Sequence, residues 1–74
     1  MKTIYRQWIS RKLKKLREDR QFSQSQIAQK LNKNKTAYQA YEDARAEPNL
    51  ATLVQIFRIY GITPNDFFID TPAI

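Results

Sequence analysis

Apolar residues recur along this chain at intervals of three and four, and no stretch alternates apolar with polar positions over the length of a strand. Ile4, Trp8, Ile9, Leu13 and Leu16 form the first such stripe. It predicts a helix from about Ile4 to about Arg20, with Thr3 as a candidate cap and a basic remainder. Ser23-Gln24-Ser25-Gln26 has the form of a capping box, in which the Ser23 hydroxyl accepts from the Gln26 amide while Gln26 reaches back to the Ser23 amide. Phe22 before the cap and Ile27 at the fourth helical position supply the matching staple, so a short second helix runs from Gln24 to near Leu31. Asn32 suits the left-handed residue of a tight turn, Lys33 completes that turn, and Asn34 caps a third helix. In this third helix Ala37, Tyr38 and Tyr41 share a core face, while Lys35, Thr36, Gln39, Ala40 and Asp43 lie elsewhere.

Pro48-Asn49 reads as a loop closing onto a cap. Leu50, Leu53, Val54, Ile56, Phe57 and Tyr60 then make an apolar fourth helix, the expected centre of the core, ended by Gly61. Thr63-Pro64-Asn65-Asp66 repeats the box with proline at the first helical position, and Ile62 with Phe67 can staple it. A brief fifth helix ends near Ile69, before a tail containing Pro72. The expectation is an all-α, compact five-helix bundle: one domain over residues 1–74, with its core at about 9–69.

A length of 74 residues changes little in this picture, since a second core would need at least about 50 more. The lack of cysteine and histidine matters more. It removes a disulfide framework and the usual zinc site, so no metal or cofactor is expected and stability must come from packing and capping. Arg6 interrupts any apolar leader, and no run approaches the ~20 apolar residues of a membrane span, so the expectation is a soluble cytoplasmic protein. Charge is lopsided within a net +6. Residues 1–35 carry eleven Lys and Arg against Glu18 and Asp19, or +9, and residues 36–74 carry −3. A basic end on a small domain is the footprint of a polyanion-binding surface, whether nucleic acid or an anionic membrane.

Chemistry is a poor fit. There is no imidazole base and no thiolate, Ser23 is explained as a cap, and the carboxylates are scattered over loops and helix ends, so no catalytic residue is assigned and an enzyme is not expected. Two helices joined by a short turn, the second polar on its free face, are instead the parts of a helix-turn-helix. Leu13-Lys-Lys-Leu16-Arg17-Glu-Asp-Arg20, Ser23-Gln24-Ser-Gln-Ile27-Ala28-Gln-Lys-Leu31, Tyr41-Glu42 and Pro48-Asn49-Leu50-Ala-Thr-Leu53 together resemble the Cro/CI-type (XRE) helix-turn-helix family. The resemblance runs without a gap from about Ile9 to Phe68 and implies a lambda repressor-like DNA-binding domain.

By that resemblance Lys35 and Thr36 are the leading base-reading positions, followed by Gln39 and Ala40 one turn on. Chemically, Lys35 suits guanine acceptors, Gln39 a bidentate pair with adenine, and Thr36 or Ala40 a thymine methyl. Gln24, Asn34 and Arg45 are implied phosphate contacts, Gln24 standing at the start of the second helix where free amides favour an anion. Arg17 and Glu42 match a family pair that positions the third helix, and Ala28 the small residue at the close helix contact. Arg11, Lys12, Lys14 and Lys15 add long-range attraction. Four departures stand out: Asp43-Ala44 where the family has Asn-Gly, Asn32 for a turn glycine, Lys33 for an apolar residue, and Tyr38 for Ile or Val.

Tyr5, Trp8, Tyr38 and Tyr41 have the stacking chemistry of single-strand platforms, but their helical spacing assigns them to the core. Phe67, Phe68 and Ile69, followed by Ile74, are denser in apolar surface than so short a helix can bury, which predicts a homodimer on a palindromic site. The implied function is that of a sequence-specific regulator of transcription binding double-stranded DNA, in the manner of short Cro-like repressors, with no room in 74 residues for a sensor domain. Two rivals remain: an antitoxin-like protein using its fourth and fifth helices on a toxin partner, and a basic amphipathic membrane binder. An adjacent toxin gene would mark the first, and sedimentation with anionic vesicles the second.

Overall fold

Four helix starts in this protein are set by short polar side chains that take up amide groups with no intrahelical partner. In the computed structural model, which describes the backbone of residues 2–72 and the side chains of residues 4–72, the helices are α1 (Lys2–Asp19), α2 (Gln24–Lys30), α3 (Lys35–Glu42), α4 (Leu50–Tyr60) and α5 (Pro64–Phe68). There is no strand among the described residues. Ser23 Oγ accepts from Gln26 N at 3.0 Å while Ser23 N donates to Gln26 Oε1 at 2.7 Å. Thr63 and Asp66 form the same reciprocal pair ahead of α5, at 3.1 and 3.0 Å. Asn34 and Asn49 cap α3 and α4 through their Oδ1 atoms, at 2.7 and 2.8 Å. Helix α1 begins two residues earlier than expected, so Thr3 lies inside it instead of capping it.

The first four helices end alike. Gln21, Asn32, Ala44 and Gly61 are all left-handed, with φ of 59, 58, 60 and 66°. In each case the next amide bonds back five residues along the chain: Phe22 to Arg17, Lys33 to Ala28, Arg45 to Ala40 and Ile62 to Phe57, at 2.9–3.1 Å. This Schellman closure satisfies carbonyls that would otherwise lack donors. Only the last of the four uses the residue that adopts this conformation without a Cβ penalty.

Between these fixed ends the helices close on one core, built from Trp8, Leu13, Ile27, Ala28, Leu31, Tyr38, Tyr41, Ile56, Phe57, Tyr60 and Phe67. Helix α3 packs against both α1 and α2. Of the four aromatics expected in the core, Trp8, Tyr38 and Tyr41 are buried there, whereas Tyr5 is only half-buried and lies outside it. Several apolar positions differ from expectation. Leu50 and Val54 are exposed, because the inner stripe of α4 runs through Thr52, Ile56 and Tyr60, one helical turn apart, and 50 and 54 fall behind it. Ala37 is exposed as well, since the first turn of α3 extends past the helices that cover Tyr38 and Tyr41. Phe67, expected with Phe68 and Ile69 at a subunit contact, is 1 % exposed and packs its ring 5.5 Å from Trp8 and 5.3 Å from Phe57. Phe68 and Ile69 stay on the surface, and Ile74 lies outside the described residues.

Lys12 is not a free cation of the basic face. Its Nζ donates to Asp70 at 2.9 Å and sits over the Trp8 and Phe67 rings, tying the chain after α5 to α1. No helix among the described residues is long and apolar enough to cross a membrane.

Left-handed Ala44 is strained by about 1–2 kcal/mol, of which glycine would recover most while adding roughly 0.4–1 kcal/mol of unfolded-chain entropy. Ala44→Gly is therefore expected to stabilise the fold by about 0.5–1 kcal/mol, raising the melting temperature by about 5 °C on a scale of roughly 4–8 °C per kcal/mol. Thermal melts of both proteins check this, and an unchanged or lower midpoint for the glycine variant would contradict it.

Candidate nucleic-acid interface

A carboxylate with its surroundings accounted for lies at the end of α3. Glu42, whose side chain is 3 % exposed, accepts from Arg17 Nε at 2.7 Å through Oε2 and from Arg17 Nη2 at 3.0 Å through Oε1. Tyr38 Oη donates to the same Oε2 from one turn earlier in α3, and Gln24 Nε2 donates to Oε1 at 3.2 Å from the first residue of α2. Each oxygen therefore receives two donors, which fills the acceptor capacity of a carboxylate. The third guanidinium nitrogen, Nη1, donates to the Phe22 carbonyl at 2.9 Å, just before the α2 cap. One ion pair thus joins α1, the entrance to α2 and the end of α3.

The electrostatics follow from this geometry. Burial by itself would raise the Glu42 carboxyl, but hydrogen bonds from Arg17, Tyr38 and Gln24 and the Arg17 charge outweigh it and hold the group below the ordinary glutamate value. Tyr38 is driven far above the usual phenol value, first by burial and then by its bond to the Glu42 anion. Tyr60, at the end of α4, is pushed up to about 12 by burial and by the charge of Glu42, and its hydroxyl has no partner among the described protein groups. Arg20 closes the far side, donating to the Tyr60 carbonyl at 2.8 Å with its guanidinium over the Tyr60 ring.

With its C-terminal end held this way, α3 presents its opposite end to solvent. Asn34, Lys35, Thr36 and Ala37 are exposed in succession, and Gln39 and Ala40 behind them are half-buried. Of the four expected base-reading residues, Lys35 and Thr36 thus stand free, and Gln39 and Ala40 border the same surface closer to the core. Asn34 spends its Oδ1 on the α3 cap and keeps its amide nitrogen. Arg45 is exposed but lies 3.1 Å from Asp43, the acid that stands in the Asp43-Ala44 departure, so an anion must compete with a carboxylate for it. Gln24 is half-buried and engaged with Glu42, not projecting alone into solvent. Lys15 pairs loosely with Asp19 at 3.7 Å, and Arg11 and Lys14 are exposed on α1.

Sequence reasoning named Arg17 and Glu42 but missed that Tyr38 and Gln24 complete their set. The four-residue spacing from Tyr38 to Glu42 was a usable signal, because a buried tyrosine hydroxyl needs a partner and a helix brings that position alongside.

The sequence profile of the HTH_3 helix-turn-helix family matches residues 13–67, the stretch that holds this ion pair, the α2–turn–α3 unit and most of the core. The chain belongs to that family. The crystal structure of an HTH_3 family transcriptional regulator from Vibrio cholerae superposes on it with a TM-score of 0.82 and 26% sequence identity, over 97% of this chain. The chain spans 40% of the length of that regulator. No curated protein matches the sequence.

Because the Glu42 carboxyl lies lower in the fold than in the unfolded chain, it stabilises the protein fully above about pH 5 and loses this contribution as pH falls through the folded value. Glu42→Gln is expected to lower stability at neutral pH by about 3 kcal/mol. It should also flatten the acid limb, leaving the smaller slope that Asp66 and Asp70, both held low by hydrogen bonds, still supply. Urea midpoints at pH 7 and pH 3 measure both effects, and an acid slope as steep as the parent's would exclude this role for Glu42.

Proposed function

We propose that the chain is a sequence-specific, double-stranded DNA-binding regulator of transcription that enters the major groove with the first turn of α3. One observation carries this reading. Lys35 and Thr36 are exposed at the free end of a helix whose other end is clamped by a buried ion pair, so that two base-reading side chains sit on a support with a defined angle. Membership of the helix-turn-helix family and likeness to a protein described as a transcriptional regulator support it. So does the excess of cations in residues 1–35.

In this reading Lys35 and Thr36 lead the readout, with Gln39 and Ala40 contributing where the groove wall comes closest. Asn34 through its free amide nitrogen, Gln24 through its second amide hydrogen, and Arg45 on release from Asp43 hold the backbone. Arg17 and Glu42 set the angle without touching bases. Residues 1–74 act as one unit in the cytoplasm, and two copies bind a palindromic site. The exposed Phe68 and Ile69, at 41 % and 84 %, supply the apolar part of the contact, with Phe67 beneath them as support.

Selecting bound sequences from random duplex DNA at two salt concentrations tests the reading. The expected result is one motif with two-fold symmetric half-sites about one helical turn apart, and an affinity that falls steeply with salt. Lys35→Ala should weaken the preferred site by about 1–3 kcal/mol and relax preference at one base pair per half-site. Equal, weak binding to every duplex would defeat the proposal. Sedimentation with the selected duplex tests the dimer separately: one copy bound per site would remove the pairing of Phe68 and Ile69.

A further inference from the structure

We infer that Tyr38 is a positioning residue for the DNA backbone contact: through Glu42 its hydroxyl holds the Gln24 side-chain amide in place. The inference rests on the reading above, that Gln24 meets a phosphate, and deepens it by naming what orients that side chain.

Position 38 is fully buried on the inner face of α3, where a helix needs only an apolar filler. A tyrosine brings a hydroxyl into that space, and the hydroxyl is bonded to Glu42 Oε2. Its effect is on the carboxylate. Arg17 holds Glu42 by two parallel contacts, at 2.7 and 3.0 Å, which fix the plane of the pair. The hydroxyl then occupies the remaining position on Oε2, so the remaining position on Oε1 is the one open to Gln24, and Gln24 Nε2 takes it at 3.2 Å. A primary amide has two hydrogens. With one on Glu42, the other and the amide oxygen are held in a single orientation on a half-buried side chain. Tyr60 provides an internal contrast, since it is equally buried and close enough to feel the Glu42 charge, yet its hydroxyl bonds no described protein group.

A phosphate contact carries no sequence information, and a neutral amide displaces no counterion. Tyr38→Phe should therefore weaken binding to the selected duplex and to a scrambled duplex by the same factor, roughly three- to tenfold, with the salt slope unchanged. In a Gln24→Ala background the same substitution should have no further effect on affinity. In the free protein, NMR should find the Gln24 side-chain amide rigid in the parent and mobile in Tyr38→Phe.

Loss confined to the selected duplex would overturn the inference, because it would mean that Tyr38 acts on the angle of α3. Additive losses in the double variant, or a mobile Gln24 amide in the parent protein, would overturn it too; the last needs no variant to fold. If the parent binds neither duplex, the reading beneath falls with it, whereas parent binding matched by Tyr38→Phe removes this inference alone.

Discussion

A charged carboxylate taken out of water is stable only if every lone pair finds a donor, and Glu42 meets that condition with groups drawn from three helices. Arg17 comes from α1, Gln24 from α2, and Tyr38 from α3 itself. Arg17 cannot leave without stranding the buried anion, and its two-point grip ties the end of α3 to α1. The helices must therefore meet at one crossing geometry. Hydrophobic contact alone would tolerate small rotations of α3 over its neighbours, because dispersion and burial have little directional preference. Hydrogen bonds to a fixed carboxylate do not tolerate them.

Packing and polarity thus divide the work along α3. Tyr38 and Tyr41 anchor its middle in the core, the ion pair secures its end, and residues 34–37 are left without cover. The rest of the bundle serves this division. Helix α4 fills the volume behind with Ile56, Phe57 and Tyr60, and α5 inserts Phe67 between Trp8 and Phe57. Lys12 then holds the chain beyond α5 against α1 through Asp70. A cation that sequence would count toward the outer field is spent inside the molecule.

What could be read in advance was whatever depends on near neighbours. Ser23 with Gln26, Asn34, Asn49 and Thr63 with Asp66 act within three residues, and each marks a helix start in the structure. Asn32 and Gly61 were legible as turn residues for the same reason. Gln21 was not, because nothing in a glutamine advertises a left-handed backbone; the demand comes from the angle at which α2 must leave α1. Leu50 and Val54 differ from expectation because apolar periodicity marks a stripe without saying which neighbour covers it, and Phe67 because the apolar density of residues 67–69 says nothing of the Trp8 and Phe57 rings that cover it. In the candidate site, Arg17 and Glu42 were visible only through family resemblance, since 25 residues separate them. The partnership of Gln24 with Glu42, across 18 residues, left no trace in spacing.

The left-handed helix ends have a further consequence, which concerns the denatured chain. A protein that turned each corner on glycine would be easy to bend but floppy when unfolded, because glycine samples the widest backbone space. This chain has one glycine in 74 residues and bends three of its four corners on residues with side chains. Part of the local strain in the folded form is matched by a stiffer disordered ensemble, one that surrenders less freedom as it collapses. Stability here is therefore drawn from both sides of the folding equilibrium.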